Sequence, residues 1–333
     1  MFESIIPVLN SAQKIVVIQA ENPDGDSLGS ALALEEILSD LGKTVHLYCA
    51  IDIPRYLHYV SGWDRVEKDW PNNCDLAVIV DTSSETLLQA SLEVPGVRHF
   101  LETNPVVVLD HHSISEKGNL SFPNISVNQP EAVATGQIIY ELCQQANWAI
   151  NQSAAENLFI SIQADSLGLT TQNTNAQSYQ VAASLVALGA SPSDIEARRR
   201  EYMKKPADIL AYKGRLIERI EYHLQGALAT VHVPWSEIAE FSDRYNPSVL
   251  VLDEMRFVQG VEVAVAIKTY PDGKLTGKIR TNLPIADTIA GYFGGGGHGY
   301  AAGFKVYDDL QAIMKELLTA TKDALDNYDS ALL

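Results

Sequence analysis

The chain has 333 residues, of which 46% are hydrophobic and 20% charged, so it is long enough for two domains with sizeable buried cores. Its net charge of −18 argues against tight binding to long duplex nucleic acid, which requires a basic surface. Small anionic substrates remain open, provided that local cations or bound metal meet their phosphates.

Three features that the sequence lacks bear on the compartment and the partners of the protein. No apolar run is long enough to span a membrane, and residues 1–4 lack the basic start of a secretory signal. The cysteines, Cys49, Cys74 and Cys143, have no metal-binding spacing and cannot all pair. The sequence therefore predicts a cytoplasmic protein without a membrane partner, and it is compatible with a homodimer.

The first part of the chain alternates apolar strands with helices, which predicts a parallel, doubly wound α/β sheet. A short helix within residues 1–13 comes first. Strands are predicted over 15–20, 44–48, 76–80 and 106–109. Helices are predicted over 26–38, 51–60, 85–92, 131–145, 153–164 and 175–188.

Carboxylates and imidazoles follow several of these apolar segments directly. They are, in chain order, Asp24, Asp26, Asp81, Asp110, His111, His112 and Asp165. Because ligands of open α/β sheets bind at the carboxyl ends of the strands, we expect these groups to converge there. About four negative charges in one place repel one another unless cations fill the site, which predicts a divalent-metal centre. The alternative is that Asp110-His111-His112 only caps a strand in water.

Composition shifts at residues 196–206, the densest basic stretch of an acidic chain. The stretch has two readings: a phosphate-facing linker, or a solvated helix that joins two domains. We place the domain boundary here. The predicted organisation is a metal-binding catalytic domain over residues 1–190, a linker over 191–214 and a smaller substrate-binding domain over 215–333.

The second domain is predicted to be α/β with a mixed sheet. Its predicted helices are 207–222, 285–290 and 310–327, and its strands are 226–233, 261–268, 275–280 and 301–306. Between helix and last strand lie four consecutive glycines, 294–297, followed by His298. Such a run is entropically costly, so we expect close backbone approach to a phosphate; a flexible turn is the alternative.

Five motifs in order resemble those of the DHH phosphoesterases, and the resemblance covers nearly the whole chain. The matching stretches are residues 22–30, 80–82, 110–112, 165–168 and, for the C-terminal DHHA1 domain, 294–304. Within the family the chain is similar to the group that hydrolyses short oligoribonucleotides, or nanoRNA, and 3′-phosphoadenosine-5′-phosphate.

The resemblance implies a metal site with two divalent ions, usually Mn²⁺, which activate water for attack on phosphorus. Asp81 would bridge the ions, Asp26, His111 and Asp165 would complete one site, and Asp24 would serve the other. His112 would face the scissile phosphate, with Asp110 orienting the imidazoles. The implied residues for the far end of the substrate are Arg280, Gly295, Gly296, Gly297 and His298.

The chain departs from the family at two positions. Ala20 stands where the family carries a His ligand of the first metal, and Thr170 stands where relatives often carry Arg. Two further functions therefore stay open beside the hydrolysis of short nucleotides. One is hydrolysis of a cyclic dinucleotide; the other is nucleotide binding without catalysis, because the metal site is impaired at Ala20.

Overall fold

The computed structural model describes residues 2–112, 120–242 and 245–331. The chain divides into two compact units, Met1–Lys204 and Lys205–Leu333, each with its own sheet and core. The domain limits assigned from the sequence, at 190 and 215, stay predictions.

The first unit is built on a six-stranded sheet. Its strands are β1 (Lys14–Ile18), β2 (Thr44–Tyr48), β3 (Val66–Glu67), β4 (Leu76–Val80), β5 (Val106–Asp110) and β6 (Ile125–Asn128). Their order is β3-β2-β1-β4-β5-β6, and every pairing is parallel. All residues of β4 and β5 are buried, as their continuous apolar sequences require. The predicted parallel α/β fold is thus confirmed.

Helices cover both faces of this sheet. They are α1 (Ile6–Ser11), α2 (Gly25–Asp40), α3 (Gln89–Glu93), α4 (Val97–Thr103), α5 (Thr135–Ala146), α6 (Gln152–Asp165), α7 (Ala176–Ala187) and α8 (Pro192–Tyr202). One core lies between the sheet and α2, α5 and α6, and a second lies under α3 and α4. Of the helix predicted over 51–60, only a 3-10 turn at Arg55–Leu57 forms.

Helices α2 and α6 pack closely because α2 carries small residues along the contact. A Cβ atom on Gly29 would stand 2.5 Å from the backbone oxygen of Asn157, and one on Gly25 would stand 2.4 Å from the Cβ of Ala164. Glycine at both positions therefore lets the start of α2 lie against the end of α6. This contact brings the acidic residues at the two helix ends together.

The second unit has a mixed six-stranded sheet, which confirms the predicted class. Its elements are α9 (Ala207–Glu218), β7 (Glu221–His223), β8 (Leu228–Val233), α10 (Trp235–Phe241), α11 (Pro247–Arg256), β9 (Val263–Thr269), β10 (Lys274–Thr281), α12 (Ala286–Tyr292), β11 (Gly296–His298), β12 (Ala301–Tyr307) and α13 (Leu310–Ala331). The strand order is β11-β12-β10-β9-β8-β7, with β8 and β9 parallel and the other pairs antiparallel. One core packs under α12 and α13, and the other under α9, α10 and α11.

Within the described ranges, none of the helices combines the length and apolar character that a bilayer-spanning segment needs.

Candidate metal centre

The start of α2 fixes the first two carboxylates. Asp24 is the N-cap residue, and its Oδ1 accepts hydrogen bonds of 3.0 Å from the backbone N–H groups of Asp26 and Ser27. The hydroxyl of Ser27 accepts one in return from the Asp24 N–H, which completes a capping box. Asp26 consequently lies in the first turn of α2 and is buried.

Four donors from three elements hold the Asp26 carboxylate. Its Oδ1 accepts from the hydroxyls of Ser161, at 2.6 Å, and Ser30, at 3.0 Å, and from the backbone N–H of Gly136, at 3.3 Å. Its Oδ2 accepts from the backbone N–H of Thr135, at 2.8 Å. Such a set stabilises a buried carboxylate in one orientation.

His111 presents an unpartnered nitrogen to three carboxylates. Its Nδ1 lies 3.2 Å from the carbonyl of Ala132, and because a carbonyl only accepts, Nδ1 carries the proton. Its Nε2 lies 3.3 Å from Asp26 Oδ2, 3.3 Å from Asp165 Oδ2 and 3.5 Å from Asp81 Oδ1. Among the described residues this buried Nε2 has no hydrogen-bond partner.

A bound cation would relieve the repulsion among the charges around this nitrogen. Burial raises the pKa of Asp81 well above its usual range, and Asp26, Asp24 and Asp165 add to the effect. Burial and Asp26 likewise raise the pKa of Asp165 to about 6. Carboxylate oxygens and a neutral imidazole are ligands for divalent metals such as Mn²⁺ and Zn²⁺. The donor set therefore fits a divalent ion.

In the described part of the chain, two overlapping groups of three donors could hold such an ion. One consists of Asp26, His111 and Asp165, and the other of Asp81, His111 and His112. His111 belongs to both. Four of the five metal ligands expected from the sequence thus converge on one point.

Asp81 occupies a strained backbone position at the end of β4. Its φ is 63°, in the left-handed region that is uncommon outside glycine. Its backbone N–H donates to Leu109 at 2.8 Å, and the hydroxyl of Thr135 donates to its Oδ1 at 3.2 Å. Strain of this kind persists where surrounding structure holds it, and it clusters at functional sites.

Asp110 forms hydrogen bonds with His112, one of the imidazoles that it is predicted to orient. Its Oδ1 lies 2.8 Å from His112 Nδ1 and accepts from the His112 backbone N–H at 3.1 Å, while Ser83 donates to Oδ2 at 2.6 Å. The bond from Asp110 raises the pKa of His112. Burial acts against ionisation of Asp110, but the bonds from His112 and Ser83 outweigh it and lower its pKa.

Asp24 stands apart from both three-donor groups. One of its oxygens is engaged in the helix cap, and burial together with Asp26 raises its pKa. Ala20 is buried, and its methyl side chain has no atom that could bind a metal. Glu21 accepts a hydrogen bond from the backbone N–H of Ala90, so its carboxylate is engaged elsewhere.

The predicted substrate residues Arg280, Gly295, Gly296, Gly297 and His298 all lie in the second unit. Arg280 on β10 pairs with Ala301 on β12, and Ala301 pairs with His298 on β11, so the three backbone positions form one row. A Cβ on Gly295 would stand 2.2 Å from the Gly303 oxygen, and Gly297 has a φ of 150°. Close strand packing is therefore one reason for these glycines.

Two basic residues in the same sheet as Arg280 were not identified from the sequence. Lys278 precedes Arg280 by two residues and so shares its face of β10, and Lys268 lies on the neighbouring strand β9. Burial lowers the pKa of Lys268 to about 8 and also lowers those of Lys278 and Arg280. In the sequence, the alternation of Lys278 and Arg280 along a strand is the pattern that could have identified Lys278. No sequence pattern could have identified the serine hydroxyls that bind Asp26, because serine is common throughout protein sequences.

Known proteins resemble both parts of the chain. The N-terminal domain of the DHH family matches residues 14–166. The bifunctional oligoribonuclease and PAP phosphatase NrnA of Thermus thermophilus is 27% identical over 91% of this chain and 88% of its own length. The Bacillus subtilis protein of the same name is 20% identical over 97% and 99%.

Solved structures show the same fold. An exopolyphosphatase-related protein from Bacteroides fragilis superimposes with a TM-score of 0.84, over 99% of this chain and 97% of its own, at 19% identity. RecJ from Thermus thermophilus, crystallised with Mn²⁺, gives a TM-score of 0.54 over 98% of this chain and 54% of its own, at 15% identity. Residues 14–166 therefore form a DHH family N-terminal domain, and the chain is a phosphoesterase hydrolase.

Proposed function

We propose that the chain hydrolyses phosphoester bonds in short oligoribonucleotides and in 3′-phosphoadenosine-5′-phosphate with the help of divalent metal ions, Mn²⁺ first among them. The observation that carries the proposal is the buried His111 Nε2, which faces carboxylate oxygens of Asp26, Asp81 and Asp165 at 3.3–3.5 Å. Lone pairs facing one another at this distance need a cation between them.

The substrate class rests on the relatives. Two proteins that align with nearly the whole chain carry the name oligoribonuclease and PAP phosphatase. Both substrates are small anions, which agrees with a net charge of −18 that disfavours long duplexes.

In this proposal, residues of the first unit have two roles, metal binding and phosphate binding. Asp26, Asp81, His111 and Asp165 would hold one divalent ion, and Asp24 would serve a second. Metal bound there would supply Lewis-acid activation of water and neutralise charge on the phosphoryl group. His112, whose pKa is raised by its hydrogen bond with Asp110, donates to a phosphate oxygen and stabilises the charge that develops there.

The second unit binds the end of the substrate that is not cleaved. Arg280 can contact a phosphate with two parallel hydrogen bonds, and burial strengthens such a contact. Backbone N–H groups at Gly295, Gly296 and Gly297, together with His298, complete the proposed subsite. Lys278 adds positive charge on the same strand.

Hydrolysis by metal-stripped protein tests the function directly. The panel consists of 3′-phosphoadenosine-5′-phosphate, RNA dinucleotides, a cyclic dinucleotide and pyrophosphate, across a manganese titration with metal content measured in parallel. Turnover of the first two with metal bound is expected. Turnover of only the cyclic dinucleotide, or nucleotide binding without any turnover, would replace the proposal with one of the two alternatives.

A pair of aspartate variants serves as the control. Asp81→Asn removes a carboxylate of the metal cluster and is expected to lower kcat at least a hundredfold and to reduce bound metal. Asp69→Asn removes the same charge at an exposed position and should change neither. Equal activity in the two variants would contradict the role of Asp81.

A further inference from the structure

A surface beside Asp24 has no role in the proposal so far. We call it the tyrosine–arginine surface and define it by Tyr56, Arg199 and Tyr202. The turn Arg55–Leu57 contacts α8, so these residues of the first unit come together although they are distant in sequence. The hydroxyl of Tyr56 donates to the carbonyl of Pro23 at 3.1 Å, directly before Asp24, and the side chain is 49% exposed.

Tyr59 connects this surface to the start of α2. It is buried, and its hydroxyl lies 3.8 Å from the position that a Cβ on Gly25 would take. Burial raises its pKa, Arg199 acts in the opposite direction, and Asp24 acts in the same one. Arg199 and the carboxylate of Asp24 are therefore both within electrostatic reach of this hydroxyl.

Helix α8 is attached to the surface and brings a positive charge to it. Arg198 Nε donates to the backbone oxygen of Tyr59 at 3.2 Å, and the same guanidinium forms an ion pair with Glu156. Arg199 and Arg200 both bind Glu196, each at 2.7 Å. Because one carboxylate neutralises only one of two guanidinium groups, Glu196, Arg199 and Arg200 together carry a net charge of +1.

The exposed ring of Tyr202 extends the surface, and two further rings support it. The side chain of Tyr202, at the end of α8, is 44% exposed, and its ring meets His58 edge-on at 6.3 Å between centroids. His58 in turn stacks on Trp63 at 3.4 Å. Rings fixed in this way keep their orientation and present faces or edges without further ordering cost.

We propose that the tyrosine–arginine surface binds the second nucleotide of an oligoribonucleotide, the one next to the phosphate at the metal centre. Tyr56 stacks with its base, and Arg199 contacts its phosphate. The inference rests on the proposed function and deepens it, because 3′-phosphoadenosine-5′-phosphate has a single base and makes no use of this subsite. The surface would thus favour oligoribonucleotides over the mononucleotide.

The chemistry favours single-stranded RNA over a protein partner. Exposed aromatic side chains with an arginine beside them are the usual means of binding single strands, because every base offers a π-face and every linkage a phosphate. Here they adjoin the carboxylates that would hold the metal. A strand that places one phosphate at those carboxylates reaches the neighbouring surface with its next nucleotide.

The test compares kcat/KM for an RNA trinucleotide with kcat/KM for 3′-phosphoadenosine-5′-phosphate. Tyr56→Ala is expected to lower the ratio about tenfold, the loss expected when one base–aromatic stack is removed. Tyr56→Phe keeps the ring but lacks the bond to Pro23, so it should retain the ratio. Arg199→Gln is expected to lower the ratio severalfold, while Lys14→Gln removes a charge at the opposite end of β1 and should not.

The outcomes separate this inference from the proposed function. If the wild-type protein cleaves both substrates and all four variants keep its ratio, the surface has no such role. A ratio lowered equally in Tyr56→Ala and Tyr56→Phe would assign the effect to the bond with Pro23 and would also overturn the inference. If the wild type cleaves neither substrate, the proposed function fails. Fluorescence anisotropy with a labelled trinucleotide then tests binding at the tyrosine–arginine surface, and equal affinities of the wild type and Tyr56→Ala would overturn the inference.

Discussion

At the scale of single residues, the hydrogen bond with Asp110 raises the pKa of His112. Asp110→Asn keeps the shape but weakens the bond that raises the pKa of His112, so that pKa falls toward its ordinary value. If protonated His112 binds the phosphate, kcat/KM begins to decline with rising pH at a lower pH in the variant than in the wild type. The loss should be about tenfold or more at pH 8 and smaller at pH 6. The pH profile measures this directly. A profile that is lowered evenly at every pH would contradict the role assigned to His112.

Ala20 is the second position where one side chain matters. It is buried beside the start of α2, where the family's pattern has an imidazole. Ala20→His is expected to lower the manganese concentration for half-maximal binding about tenfold, since even indirect metal partners contribute 10–100-fold. Metal titration measures it without any substrate. Ala20→Leu adds volume without a ligand atom, and equal affinities of the two variants would contradict the prediction.

The contact between α2 and α6 matters at the scale of elements. Gly29→Ala would place its Cβ 2.5 Å from the Asn157 oxygen and 3.1 Å from the Ser161 N–H nitrogen, and backbone atoms move only when a helix moves. We expect a loss of about 1–3 kcal/mol in the free energy of unfolding, together with weaker metal binding, because Ser161 holds Asp26.

Gly214→Ala in α9 is the matched control. A Cβ there meets nothing within 4 Å, so the change should stabilise the helix by about 0.5–1 kcal/mol. Chemical denaturation of both variants gives the comparison. Equal stabilities would show that α2 and α6 can move apart without cost.

At the scale of the whole molecule, the acidic cluster links stability to pH and metal. The pKa of Asp165 is raised from 3.8 to about 6, and those of Asp81 and Asp24 are raised too, so between these pH values the folded protein binds more protons than the unfolded chain. Stability of the metal-free protein therefore falls as the pH rises through this window. Thermal unfolding at pH 4.5 and pH 7 measures the loss.

Added Mn²⁺ should reverse this loss at pH 7. An ion at a hundred times its dissociation constant stabilises the folded state by about 2.7 kcal/mol. Asp165→Asn removes one repelling charge, so the metal-free variant should be more stable than the wild type at pH 7 and should gain less from Mn²⁺. A wild-type melting temperature that is insensitive to Mn²⁺ would count against a metal centre here.

The sequence by itself determined the order of the main elements and the residues at their ends. β1, β4 and β5 are mainly apolar runs, and α2, α6 and α7 begin at the capping residues Asp24, Asn151 and Asn175, so local patterns suffice for these elements. The short strands β3, β6, β7 and β11 and the helices α4, α10 and α11 were missed. A strand of two to four residues exists only because a neighbouring strand pairs with it, and no local pattern announces it.

Only the tertiary structure decided how the site is arranged. Sequence motifs named Asp26, Asp81, His111 and Asp165, but the lone pair of His111 Nε2 depends on the distant carbonyl of Ala132. The orientation of Asp26 depends on Ser161 and Thr135, which are more than a hundred residues away. Distances and proton positions arise from packing between remote segments, and the linear sequence does not contain them.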